Sequence, residues 1–218
     1  MNQEAQLAAV KAYTIKKLKD DQTGHGLDHI HRVVKMSKRL AQGEGVDPFL
    51  PVVAAYLHDT IDEKLVSNVQ HAKHDLTTYL ADHAFSSDQI ATIMDVIPNI
   101  SFAHTLDGEE IHLSPVAKIV RDADWLDAIG AIGIIRAIYY GGGHHEKIYD
   151  PQILPRQQMS RAEYRNLANE TIINHFDEKL LHLAGMMQTK TAQQIANHRQ
   201  KVMESFLTEF HAEWDAKQ

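Results

Sequence analysis

At 218 residues, with 44% hydrophobic and 23% charged residues, the chain is long enough to bury a sizeable core and too apolar to remain disordered. Its formal charge of −7, from Lys+Arg 22 against Asp+Glu 29, argues against a polymeric nucleic acid or an anionic membrane as partner, but leaves room for a small phosphorylated ligand held by a local cation or metal. The absence of cysteine removes disulfides, thiolate zinc sites and thiol nucleophiles together; any metal must be held by His, Asp, Glu or carbonyl groups.

Apolar residues recur at helical spacing almost throughout, and no stretch shows sustained apolar–polar alternation between hairpin turns. The expected fold is all-α, a single helical bundle forming one domain over residues 1–218. A first helix over 3–19 carries Glu4, Lys11, Lys16, Lys17 and Lys19, so it reads as neither signal peptide nor membrane span, and a cytoplasmic protein is expected. After Thr23-Gly24 a second helix runs from Asp28, placed to cap it, to about Gln42. A third begins at Asp47-Pro48 and continues through Phe49 to Leu57, apolar on every side and hence central.

Further helices are expected over 67–83, 86–97, 114–140 with a weak point at Gly130, 158–173, 175–186 and 190–216. The last is long and amphipathic and offers a contact surface for a homo-oligomer. From Gly141 to Gln157 three glycines, two prolines, His144 and His145 make a polar loop of a length uncommon outside functional segments, a candidate lid. Tyr139 and Tyr140, just before it, read as core packing.

The chemistry gathers where apolar helices acquire His and Asp. The third helix ends in His58-Asp59, and a carboxylate emerging from an apolar run needs a cation, a hydrogen-bond network or a metal. The segment from Gly24 to Val33 holds His25 and His29 four apart, on one face if helical, with His31 projecting elsewhere. The segment from Lys118 to Asp127 is again mostly apolar and brings Asp122, Asp124 and Asp127. Imidazole with carboxylate, and no sulfur, suits Mn²⁺, Fe²⁺, Co²⁺, Ni²⁺ or Zn²⁺, with Mg²⁺ a further candidate. No H-E-x-x-H zincin motif and no G-x-x-x-x-G-K-[ST] phosphate loop occurs, so phosphate would be held by metal and side chains.

In order, His29 within D-H-I-H-R-V, L-H-D at Leu57 to Asp59 and D-A-D-W-L-D at Asp122 to Asp127 closely resemble the H…HD…D signature of the HD-domain metal-dependent phosphohydrolases, which are all-helical bundles. The resemblance implies that His29, His58, Asp59 and Asp124 are the metal ligands, with Asp124 preferred to Asp122 because it directly precedes W-L-D. The stretches Ile97 to Phe102, Tyr149-Asp150-Pro151 and His175 to Leu183 look like one bacterial branch of that superfamily. For that branch the implied activity is Mn²⁺-dependent hydrolysis of nucleoside triphosphates, deoxy forms included, to monophosphate and pyrophosphate.

The roles that follow are expectations. Asp59 links the ligand set to catalysis, and Asp62 and Glu63, one helical turn further on, are candidates to orient water or accept its proton; an acidic pair occupies the corresponding place in alarmone-hydrolysing relatives. Arg32, Lys64, His25 and Lys147 are the candidate phosphate-binding residues, with Arg121 a further cation. The alternatives are a regulatory domain that binds a nucleotide or metal without turnover, or a hydrolase of nucleoside monophosphates, cyclic nucleotides or alarmones.

Overall fold

The computed structural model describes every residue except 20, 22–23, 25, 62–65, 67, 108–111, 158, 161–162, 164–169 and 218. The fold is all-α as expected: the described residues form helices and connections, with one isolated backbone bridge, Lys147 to Thr171, and no strand. The chain divides into two compact units, residues 1–102 with 110–123, and residues 103–109 with 124–218. No helix among the described residues is long and apolar enough to cross a membrane.

The first unit contains α1 (Gln3–Leu18), α2 (Leu27–Gly43), α3 (Phe49–Leu57), α4 (Val69–Asp82) and α5 (Ser87–Val96). Side-chain caps start three of them: Asn2 accepts the Ala5 N–H and Asn68 the His71 N–H, both at 2.9 Å, and Ser86 with Gln89 closes a capping box on α5. Each satisfies amide groups that the first helical turn leaves without an intrahelical acceptor. Asp28 does not cap α2. Gly26 takes that position without a side-chain bond, and the Asp28 carboxylate, already inside the first turn, accepts from Arg32 at 2.8 Å instead.

Helix α3 is central because nothing on it needs water. From Pro51 to Leu57 every residue is buried, and α3 packs on α1, α2 and α5. The Asp47 carboxylate accepts the Phe49 N–H at 2.8 Å at its start, and the Thr14 hydroxyl of α1 donates to the Tyr56 carbonyl at 2.9 Å near its end. The surrounding apolar core includes Val10, Ile30, Val53, Leu57, Leu76 and Ile93.

Helix α6 (Pro115–Asp127) carries the chain from the first unit to the second. Gly130 then adopts φ +77°, a left-handed conformation open to glycine, and breaks the expected 114–140 helix into α6 and α7 (Gly130–Gly143). Arg199, on the long α8 (Lys190–Trp214), covers this break: its Cβ and Cγ lie 2.9 Å from where a Gly130 Cβ would stand, and its guanidinium donates to the Leu126 carbonyl. Helix α7 packs against α8.

Four expectations for this unit need correction. Gly141, Gly142 and Gly143 are not loop residues but the last turn of α7, and Gly141 is buried because Ile172 fills the space its side chain would take. Tyr139 and Tyr140 are exposed rather than core, Tyr140 stacking on His144 with ring centroids 4.0 Å apart. The expected 158–173 helix falls largely outside the described residues. Residues 171–173 are not helical, because the Ile172 and Ile173 amides donate to the carbonyls of Lys147 (2.9 Å) and Ile148 (3.0 Å). The expected helix over 175–186 is a succession of a π turn (Phe176–Leu180), an α turn (Leu181–Leu183) and a 3₁₀ turn (Ala184–Met186).

Candidate metal centre

Three of the four expected ligands converge in the first unit. His29 comes from the first turn of α2, and its burial follows from the stripe it shares with Ile30, Val33 and Leu40. His58 ends α3, and Asp59 lies in the turn just after it. That turn is fastened by Thr60, whose N–H (2.9 Å) and hydroxyl (2.7 Å) both donate to the Leu57 carbonyl. All three residues are buried, His29 to 2%, His58 to 5% and Asp59 to 6% exposure.

The facing atoms form a small triangle. His29 Nε2 is 3.3 Å from His58 Nε2, His58 Nε2 is 3.2 Å from Asp59 Oδ2, and His29 Nε2 is 3.5 Å from the same oxygen. The far side of the His58 ring is committed, its Nδ1 lying 2.8 Å from the Ala55 carbonyl oxygen. A carbonyl only accepts, so Nδ1 carries the hydrogen, and the Nε2 edge of the ring faces His29 and Asp59. A backbone carbonyl holding the outer nitrogen is the usual support of a metal-bound histidine.

The donor set fits a divalent ion. With metal–ligand lengths of about 2.1 Å, neighbouring ligand atoms stand about 3.0 Å apart at right angles and about 3.4 Å apart in a tetrahedron, and the triangle's edges lie close to the tetrahedral value. Imidazole and carboxylate without sulfur match the harder divalent transition metals. Among the described residues these three form the one group of His and acidic residues close enough together to hold an ion.

The other expected residues fall into three sets. Asp124 is half-buried on α6, within the second unit. Asp62, Glu63, Lys64 and His25 lie outside the described residues. Arg32 is on α2, paired with Asp28, and Lys147 is exposed in the second unit, its ammonium 2.8 Å from Asp150. Arg121 is buried (7% exposed) beside the fully buried Asp122; burial lowers the guanidinium pKa and the Asp122 charge opposes that. It is therefore not a surface cation waiting for phosphate.

Sequence reasoning missed two features. One is the positioning of the doublet by the Ala55 carbonyl and Thr60, of which the T at position 60 was the only visible sign. The other is a charged cluster in the second unit. Glu178, on the π turn, accepts from Arg156 through its backbone N–H and its Nε, both at 2.9 Å, and Arg156 also reaches Glu170 at 3.1 Å. Glu170 in turn accepts from His175 Nδ1 at 2.7 Å. The segment expected to be a lid makes further contacts here, with Asn174 donating to the Ile153 carbonyl (2.7 Å) and Tyr149 packed edge-on against Phe210, His211 and Trp214.

The chain is similar to known proteins. The HD-domain family model matches residues 26–129, a stretch containing His29, His58-Asp59 and Asp124. An HD-superfamily hydrolase of Bacillus thuringiensis is 32% identical, aligned over 99% of this chain and 100% of its own, with a TM-score of 0.77. The chain belongs to the HD superfamily. A Lactobacillus plantarum protein of known structure is 46% identical over 98% of each chain, with a TM-score of 0.86. Bacillus subtilis YpgQ, 25% identical over 95% of this chain and 97% of its own with a TM-score of 0.75, is known in complex with ADP.

Proposed function

We propose that the protein is a metal-dependent phosphohydrolase that cleaves a nucleoside or deoxynucleoside triphosphate to the monophosphate and pyrophosphate, residues 1–218 working as one HD-type domain. The observation that carries this reading is the buried triangle of His29 Nε2, His58 Nε2 and Asp59 Oδ2. The ADP complex of YpgQ supports a nucleotide as the ligand class.

His29, His58 and Asp59 hold the ion, and Asp124 is the fourth ligand by the order of the motif. A divalent ion held there, Mn²⁺ in this reading, would supply Lewis-acid polarisation of a phosphoryl oxygen and a water acidified toward neutral pH. Ala55 and Thr60 keep the doublet aimed at that place. Asp62, seconded by Glu63, orients the water and takes its proton, while Arg32, Lys64, His25 and Lys147 neutralise substrate phosphates.

A panel of ribo- and deoxynucleoside tri-, di- and monophosphates, cyclic nucleotides and alarmones, incubated with Mn²⁺ and assayed separately for phosphate and pyrophosphate, tests the proposal. Pyrophosphate released from triphosphates is the expected result. Phosphate from monophosphates would reassign the substrate, and no turnover of any member would leave a binding domain.

A further inference from the structure

Helix α2 carries a charge imbalance that the metal centre does not use. In a chain of net charge −7, the span Leu27–Gly43 holds Arg32, Lys35, Lys38 and Arg39 against one carboxylate, Asp28. At 3.6 residues per turn, Asp28, Arg32, Lys35 and Arg39 fall within a strip about 60° wide, beside the buried stripe that carries His29. From Arg32 to Arg39 the strip extends about 10 Å along the helix.

Exposed helices normally interleave opposite charges at i,i+3 and i,i+4, and here only the first pair does so, Arg32 with Asp28 at 2.8 Å. Lys35, Lys38 and Arg39 are exposed, and among the described residues none of them meets a carboxylate. Lys35 therefore repels Lys38 and Arg39 at i,i+3 and i,i+4 without compensation, while the charge of Arg32 is offset in part by Asp28. An anion spanning several cations would relieve this repulsion; an anion with one charged group would not. Helix α2 has no Phe, Tyr or Trp, so it offers no platform on which bases could stack. A run of linked phosphates is an anion of this kind.

We infer that the Arg32, Lys35 and Arg39 face of α2 is a docking track for a phosphate chain, which starts one turn from His29 and selects substrates with several linked phosphates over a single phosphate. Its role in turnover rests on the phosphohydrolase reading, but the track itself is a binding surface and is tested without turnover.

Calorimetric titrations with inorganic phosphate, tripolyphosphate and long-chain polyphosphate, in metal-free buffer at low and high salt, decide it. For the wild type, affinity is expected to rise with chain length and to fall with salt. The double variant Lys35→Gln/Arg39→Gln is expected to bind tripolyphosphate about tenfold more weakly and inorganic phosphate unchanged. Both positions are exposed, so its melting temperature and Mn²⁺ retention should match the wild type. Equal binding by variant and wild type, no preference for chains over phosphate, or tighter binding of a single-stranded oligonucleotide than of polyphosphate would each overturn the track. If the wild type hydrolyses no nucleotide yet shows the expected binding, the phosphohydrolase reading falls and the track stands.

Discussion

His58 Nδ1 donates to the Ala55 carbonyl at 2.8 Å, three residues back along α3, and this bond decides what the other edge of the ring offers. It holds the ring with its Nε2 edge toward His29 and Asp59, the edge a metal ion would use.

The first expected outcome concerns binding. Wild-type protein desalted after incubation with Mn²⁺ retains the metal, and at about 100 times Kd the ion adds about 2.7 kcal/mol of stability. For a chain of this size that is a rise in Tm of about 5–10 °C. Asp59→Asn keeps the shape of the side chain but removes the charge, so both the retained metal and the Tm rise should disappear. A variant that keeps a wild-type Tm response to Mn²⁺ would show that the ion binds elsewhere.

Arg156 is the hub of the second unit's charged cluster. Its partners Glu178 and Glu170 have side chains only 1% and 5% exposed. Replacing it by Leu strands the buried Glu178 and leaves Glu170 with His175, and the loss should approach about 3 kcal/mol, read as a lower urea midpoint with unchanged m-value. Metal retention should persist, because His29, His58 and Asp59 are positioned by α2 and by the turn after α3.

Two carboxyls of this cluster titrate in opposite directions. Burial, seconded by Glu170, pushes Glu146 above its ordinary value, against the pull of His175 and His144. Burial also pushes Glu170 up, but the hydrogen bond and charge of His175 and the charge of Arg156 outweigh it and hold Glu170 below its ordinary value. Between its unfolded and folded pKa values Glu146 binds more protons when folded, so its contribution to stability falls as pH rises through that window. For Glu170 the contribution is present above the unfolded pKa and is lost as pH falls through the folded one. Glu146→Gln should therefore stabilise the protein at neutral pH, with the gain vanishing in acid; Glu170→Gln should destabilise at neutral pH and converge on wild type in acid. Stability curves from pH 3 to 8, about the carboxylate range, would expose a wrong sign in either.

Gly133 stands in the first turn of α7, where a Cβ would be 2.5 Å from the Ala128 carbonyl carbon. Helix propensity alone favours Ala over Gly by about 1 kcal/mol, yet backbone cannot move aside as a side-chain tip can. Gly133→Ala should cost about 1–3 kcal/mol by overpacking. A urea midpoint at or above wild type would mean that the start of α7 shifts freely.

What the sequence made legible were the features written in consecutive residues. The apolar run to Leu57 marks α3 as central, and the polar doublet after it can lie nowhere but at the floor of that core. Asp28 was misread as a cap because cap preference says nothing of a competing partner four residues on, and Arg32 is that partner. The glycines 141–143 were misread as loop because glycine signals a turn by its own freedom, whereas Gly141 is needed here for the close approach of Ile172. Arg156, Glu170, His175 and Glu178 left no local pattern, since the spacing of their partnership is set by the path of the chain. The expected fourth ligand, Asp124, rests on the order of the motif, and burial alone does not single it out.

The pairing of residues 147–148 with 172–173 closes a loop of about two dozen residues through two backbone hydrogen bonds, whereas the helices around it form by contacts a few residues apart. Loop closure must be met before such bonds are gained, so this junction should form late and open early. In a hydrogen–deuterium exchange experiment the Ile172 and Ile173 amides would then exchange together, by an opening smaller than global unfolding, ahead of the amides in the middle of α8.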